Sequence, residues 1–301
     1  MDTAKDIKDF LMTRRAKITP EQVGLATSGR RRVPGLRREE VAYLAGVSAE
    51  YYIQIERGQV SGVSDDVLQA IAAALSLDEV ETAHLFDLAR AATTKVGGKP
   101  SRGPSRKVPQ GVQALIDAMV SAPAVVYNAH LDIVAANPLG RALYGAVHER
   151  QTEPPNLARF IFLDDRADEV FPDWDKAADD AVALLRVEAA RSPHSKAVTT
   201  LVGELATRSI EFRTRWAAHD VLAHRSGTKH FYHPAVGDLI LRFESLDVTS
   251  APGLTITGYT AEPGSPSHEA LALLSSLVAS EQGREAAAAD EERHPEPGRP
   301  R

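Results

Sequence analysis

The chain has 301 residues, 43% of them apolar and 25% charged, a composition of folded proteins and a length sufficient for two domains. It contains no cysteine, which excludes disulfides, thiolate catalysis and cysteine-based zinc sites, and no apolar run approaches the roughly 20 residues of a membrane span. The net charge of −6 is unevenly spread: residues 14–38 carry eight basic side chains against Glu21 alone, while residues 111–301 are acidic.

From the N-terminus, MDTAKDIKDFLMTRR mixes early acids with no apolar core run, so it is not a secretory signal, and a cytoplasmic location is expected. Within it Ile7, Phe10 and Leu11 recur at i, i+3, i+4, one face of a helix. Residues 16–35, with breakers at Thr19-Pro20 and Val33-Pro34-Gly35, read as a loop. LRREEVAYLAG directs Leu36, Val41, Leu44 and Ala45 to a core and ends at Gly46. Ser48 suits the N-cap of the next helix, and Glu50 the positive end of its dipole. Two further helices start at Ser64 and Asp78, which makes five before residue 92.

The short corner at Gly46-Val47-Ser48 raises the functional question. On the second helix Tyr52 and Ile55 share a face that can pack on Leu44 and Val47, which leaves Ala49, Glu50, Ile53, Gln54 and Arg57 outward. A helix held on one side and short or polar on the other is what a helix-turn-helix needs to enter the major groove. Gln54 can bond a base edge, Glu50 can accept from a cytosine amine, and Ala49 permits close approach. The candidate DNA-binding residues are Ser48, Ala49, Glu50, Tyr51, Gln54 and Arg57, with Arg30, Arg31, Arg32, Arg37 and Arg38 for phosphates. A helical bundle that contacts another protein is the competing reading; the basic run at 30–38 favours DNA, since protein contact would not need it.

The segment TTKVGGKPSRGPSRKVPQG, with four glycines and three prolines, marks a linker at 93–110. Residues 111–282 follow as a second domain. APAVVYNAHLDIVAANPLGRALYG reads as strand, turn, strand, helix. Helical stretches then run over NLARFIFL, about 173–190, AVTTLVGELA and SIEFRTRWAAH. Strand-like runs at HDVLAH into TKHFYHPAVG, DLILRFESLDV and LTITGYTAE close the domain before a last helix, SHEALALLSSLVAS. The charged, proline-bearing last stretch, EQGREAAAADEERHPEPGRPR, reads as a fraying helix end and then disorder, with residues 283–301 set apart as a tail. The expected class is α + (α+β): a five-helix helix-turn-helix bundle, then an antiparallel sheet with helices packed on it.

LRREEVAYLAGVSAEYYIQIERGQ resembles the XRE-type helix-turn-helix of phage-repressor-like regulators, and GRRRVPGLRREEVAYLAGVS resembles the MmyB-like regulators more specifically. The second domain carries MmyB-like landmarks in Asn137, Trp174, Arg186, EFRTRWAAHDV and His-Pro-x-x-Gly at 233–237, so the resemblance covers roughly residues 5–280. It implies a transcriptional regulator that places Arg38 at the phosphate-contacting start of the first helix, and an ion pair for Glu56 inside the bundle, with Arg15 as a partner. It also implies a PAS-like domain that holds a fatty acid or other small apolar ligand. Phe160, Phe162, Trp174, Phe212 and Trp216 are candidates to line such a pocket, though each taken singly reads first as ordinary core; Asn137, Arg186 and Arg213 are candidates for a carboxylate head, against the commoner solvent-facing arginine on a helix.

One helix-turn-helix reads few bases, so a homodimer on double-stranded DNA is the expected assembly. Catalysis is not expected. His219, His224, His230 and His233 are spaced across several strands with no HExxH, and no GxSxG, phosphate loop or GxGxxG before a helix occurs. No metal or obligatory cofactor is therefore expected.

Overall fold

The computed structural model describes residues 3–25, 33, 35–93, 108–149, 154–193, 195–218 and 226–293, with side chains through Arg284. By backbone contacts it divides into two compact units, residues 1–103 with 178–224, and residues 104–177 with 225–301. The linker residues 94–107, and with them most of the segment expected at 93–110, lie outside the described residues.

The first unit contains α1 (Thr3–Lys17), α2 (Arg38–Leu44), α3 (Ala49–Glu56), α4 (Asp65–Ala74) and α5 (Glu79–Thr93). The expected loop at 16–35 contains a short 3-10 turn, Pro20–Val23, started by the proline and closed by Gly24 at φ 73°. Ile7, Phe10, Leu11, Leu36, Tyr52 and Ile55 are fully buried and form one core with α4 and α5. Caps fix the helix starts as the sequence implies. Ser48 Oγ accepts from Tyr51 N at 3.1 Å and Ser64 Oγ from Val67 N at 3.4 Å. Asp78 and Glu81 exchange bonds to each other's backbone N–H groups, at 2.8 and 3.1 Å.

The same unit takes in residues 178–191 of α11 (Trp174–Arg191), α12 (Lys196–Arg208) and α13 (Ile210–Ala217). Ala190 is a member of the bundle core and Val187 packs against it. Arg191 Nε lies 3.2 Å from Asp87 on α5. The sequence reading assigned these helices wholly to the second domain.

In the second unit a five-stranded antiparallel sheet is built in the order β2-β1-β5-β4-β3, from β1 (Ala124–Asn128), β2 (Ile133–Ala136), β3 (Ser226–His233), β4 (Gly237–Asp247) and β5 (Leu254–Thr260). Its outer face covers Val126, Leu254 and Ile256 with Val112 and Ile116 of α6 (Gln110–Asp117). Beyond β2 the chain forms α7 (Pro138–Leu143), α8 (Gly145–Glu149), α9 (Leu157–Leu163) and α10 (Ala167–Val170); rings just after α7 and α10 meet the inner face, Tyr144 on both Phe231 and Tyr259 and Phe171 on Phe231, and Phe160 of α9 packs on Phe171. The class is therefore the expected helical bundle plus α+β sheet domain.

The last helix, α14 (Pro266–Arg293), runs eleven residues beyond the expected domain end at 282. EAAAADEER is alanine- and glutamate-rich, and intrinsic helix preference carries it past the point where the apolar period ends. The remainder of the tail lies outside the described residues.

Candidate nucleic-acid interface and ligand site

The corner between α2 and α3 is closed by backbone geometry. Gly46 adopts φ 66°, its N–H donates to Tyr43 O at 3.2 Å, and Val47 N–H donates to Ala42 O at 3.0 Å. Glycine enters this left-handed region without the Cβ penalty, so the chain reverses in one residue and Ser48 can start the next helix.

Under α3 lies an ion cluster. Glu56 is 1% exposed and takes Arg15 Nε at 3.1 Å on one oxygen and Arg38 Nε at 2.9 Å on the other. Arg15 also donates to Leu36 O at 2.8 Å, while Leu36 N–H donates to Arg15 O at 3.0 Å. The end of α1, the start of α2 and the end of α3 are thus held by one carboxylate. Burial first, and the Glu56 carboxylate second, push the neighbouring Tyr52 phenol well above its ordinary 10.0, so it is neutral. This cluster sets the axis and rotation of α3 relative to α2.

The rotation leaves Ser48, Glu50, Gln54 and Arg57 exposed, with Ala49, Tyr51 and Ile53 half-buried along the edges. Ala49 and Tyr51 pack partly against the core, so they border the outward face more than they form it. Arg37 is exposed just before α2. Arg38, with a side chain 47% exposed, is engaged by Glu56, so it braces the fold as well as standing at the start of α2. Arg30, Arg31 and Arg32 lie outside the described residues.

The candidate ligand residues separate. Asn137 is a structural cap: Oδ1 accepts from Ala124 N at 3.0 Å and Gly140 N at 2.7 Å, and Nδ2 faces the carbonyls of Ile116, Met119 and Ala122 at 2.8–3.2 Å. With every polar atom engaged by backbone at 1% exposure, it has no group to offer a carboxylate, which corrects the expectation for it. Phe160 and Trp174 belong to the sheet unit. Phe160 packs on Phe171, and Trp174 packs on Phe162 and donates Nε1 to Ile161 O at 2.9 Å.

Arg186, Phe212, Arg213 and Trp216 belong to the first unit. There the buried Arg186 guanidinium stacks 4.4 Å over the Trp216 ring and donates to Trp216 O, and Phe212 stacks on Trp216 at 5.4 Å. A crevice beside them, lined by Asp6, His84, Leu88, Arg186, Ala189 and Trp216, leaves about 10 Å³ for the centres of water molecules. That is room for about one water and not for an acyl chain. Arg213 lies on an exposed face, 3.4 Å from Ala206 O.

The sequence reading did not single out the inner face of the sheet. Tyr127, Tyr144, Phe171, Lys229, Phe231 and Tyr259 are all buried there. The signal was present in the alternation of β3 and β4, where Lys229 and Phe231 pair with Leu241 and Leu239 and turn inward with them. A lysine in that inward set was the clue. Of the four histidines, His219 and His224 lie outside the described residues; His230 meets Asp238 at 2.9 Å, and burial holds His233 below its ordinary pKa. Among the described residues no three His, Asp or Glu side chains converge as metal ligands, and no helix is long and apolar enough to cross a membrane.

Comparison with known proteins gives two family matches. Residues 108–274 match the MmyB-like transcription regulator ligand binding domain, and residues 13–85 match a helix-turn-helix domain. No curated protein matches the chain.

Proposed function

The chain belongs to the family of MmyB-like transcription regulators, whose ligand-binding domain accounts for more than half its length, and from that premise we propose that it binds double-stranded DNA sequence-specifically through α3 and changes that binding when an apolar small molecule occupies the sheet domain. The observation that carries the DNA half is α3 itself. A buried carboxylate fixes the helix from below, and Glu50, Gln54 and Arg57 stand exposed above a serine-capped N-terminus. Exposed Arg37 and the arginine run before it supply the charge that phosphate contact requires.

The ligand half is supported by the match of residues 108–274 to a ligand-binding domain, whose buried inner sheet face is aromatic with a few polar groups, a chemistry that suits an apolar ligand. A fatty acid or similar amphiphile fits that chemistry. Two-fold assembly of the chain would double the number of bases read. Regulation requires only that the ligand prefer one arrangement of the chain over another; coupling of about 1–3 kcal/mol is typical.

The test is selection of bound genomic fragments by the full chain, with and without cell lipid extract. The proposal expects a recurring two-fold symmetric sequence whose recovery changes when lipid is present. Recovery of fragments without any shared sequence would contradict the DNA half, and indifference to lipid the other.

A further inference from the structure

One aliphatic side chain interrupts the polar side of α3. Glu50, Ile53, Gln54 and Arg57 recur at i, i+3, i+4 and i+7, so they share one side of the helix, with Arg57 at its C-cap. Glu50, Gln54 and Arg57 are exposed and Ile53 is half-buried. The bundle core does not account for Ile53. Tyr52, Ile55 and Glu56 supply the buried face of α3. Among the described residues, the half-buried apolar side chains packed on that core include Ala49 and Tyr51 of this helix but not Ile53. A lone aliphatic on a surface is ordinary; this one stands between the side chains suited to base edges. In the major groove a base pair presents donors and acceptors, which an isoleucine would strip of water without replacing their bonds. Thymine adds a methyl at C5, and that group an isoleucine can cover with gain on both sides. The side chain is also stiff, since its β-branch leaves one dominant χ1 rotamer in a helix and little freedom to lose on contact. Its aim is fixed from below, where Glu56 holds Arg15 at 3.1 Å and Arg38 at 2.9 Å.

We propose that Ile53 reads the C5-methyl group of a thymine, so that the DNA site holds a T·A pair recognised by apolar contact beside the pairs that Glu50 and Gln54 read through hydrogen bonds. The inference rests on the reading of α3 as the base-contacting helix and adds to it a specificity-determining residue and the base it selects. Cytosine at the same place is rejected twice: it lacks the methyl, and its N4 amine would be left without an acceptor against the isoleucine. Spacing limits where the thymine lies. Ile53 and Gln54 are neighbours on a helix that rises about 1.5 Å per residue, and base pairs are stacked about 3.4 Å apart. The thymine is therefore within about two base pairs of the one that Gln54 reads.

The test uses the full chain and a duplex recovered by genomic selection, in which each thymine is replaced in turn by 2′-deoxyuridine. That exchange removes the C5-methyl and keeps every hydrogen-bonding group of the base. At one thymine near the pair read by Gln54, wild-type affinity should fall about fourfold, the worth of one buried methyl. Ile53→Ala should bind the unmodified duplex about fourfold or more weakly and show no further loss when that thymine is replaced. Ile53→Val, which keeps the β-branch, should retain most of the loss on replacement. Ile53→Ala should unfold at the same or a higher urea concentration than wild type, because alanine is the better helix former and no core contact goes with the side chain. If wild type prefers the selected duplex to a scrambled one but no thymine shows a loss, or if Ile53→Ala keeps the whole loss, the assignment of Ile53 is overturned while the reading of α3 stands. If wild type does not distinguish the two duplexes, the reading of α3 falls and the assignment falls with it.

Discussion

Glu56 shows how one residue can be read from sequence in identity but not in full consequence. The resemblance assigned it an ion pair with Arg15; the structure adds Arg38 as a second partner, and with it a bracing duty for a residue expected only at phosphates. Long-range convergence of that kind leaves no periodic trace in the sequence, because positions 15, 38 and 56 have no common spacing. Removing the acid leaves two guanidinium groups facing each other across a buried site. Glu56→Ala should therefore cost roughly 3–5 kcal/mol in urea unfolding, whereas Arg38→Ala, whose side chain is half in solvent, should cost far less. Asp132 allows a pH prediction. Burial opposes its ionisation, but bonds from His130, Asn156 and Asn128 outweigh burial and hold its carboxyl below the ordinary 3.8. A carboxyl lowered on folding stabilises above its unfolded pKa and loses that contribution as pH falls through the folded one. Stability should thus decline from about pH 4 downward, and Asp132→Asn should be less stable at pH 7 with a flatter acid limb.

At the scale of elements, most of the fold was legible. The five helices of the bundle follow from apolar spacing and from Ser48, Ser64 and Asp78 as caps, and the sheet from alternation in β4 and β5. What escaped was chosen by tertiary packing. The inward Lys229 and the buried tyrosines around it belong to elements far apart in the chain, and α11 reads as an amphipathic helix without saying which neighbour it joins. Glycines separate local from tertiary demands. Gly46 has a positive φ but open space around its missing Cβ, so Gly46→Ala should cost only about 1–2 kcal/mol for the left-handed backbone. Gly58, at φ 85°, would place a Cβ 2.5 Å from the Ala4 backbone. Gly58→Ala should cost distinctly more, because α1 must also move, and thermal unfolding of the two variants side by side checks the order.

The two units part at residues 103 and 104, inside the glycine- and proline-rich segment, and again at 177/178 and 224/225, which no change of composition marks. Residues 178–224 lie within the matched ligand-binding region yet group with the helix-turn-helix bundle, and α11 is one continuous helix with residues in both units. Ala190, near its end, is part of the bundle core. Ala190→Asp would bury an unpaired carboxylate there, and should lower the stability followed by Trp216 fluorescence by at least about 2 kcal/mol. The exposed Ala279→Asp should change it little. The proposal that α3 reads DNA is tested most directly by the affinity of the full chain for a duplex recovered by genomic selection, measured by fluorescence anisotropy beside a scrambled duplex, for wild type and Gln54→Ala. The expected result is tight binding that weakens steeply with salt, and a loss of about 1–3 kcal/mol for Gln54→Ala on the selected duplex with little change on the scrambled one. Equal affinity of wild type for both duplexes, or a Gln54→Ala variant that discriminates as well as wild type, would contradict it.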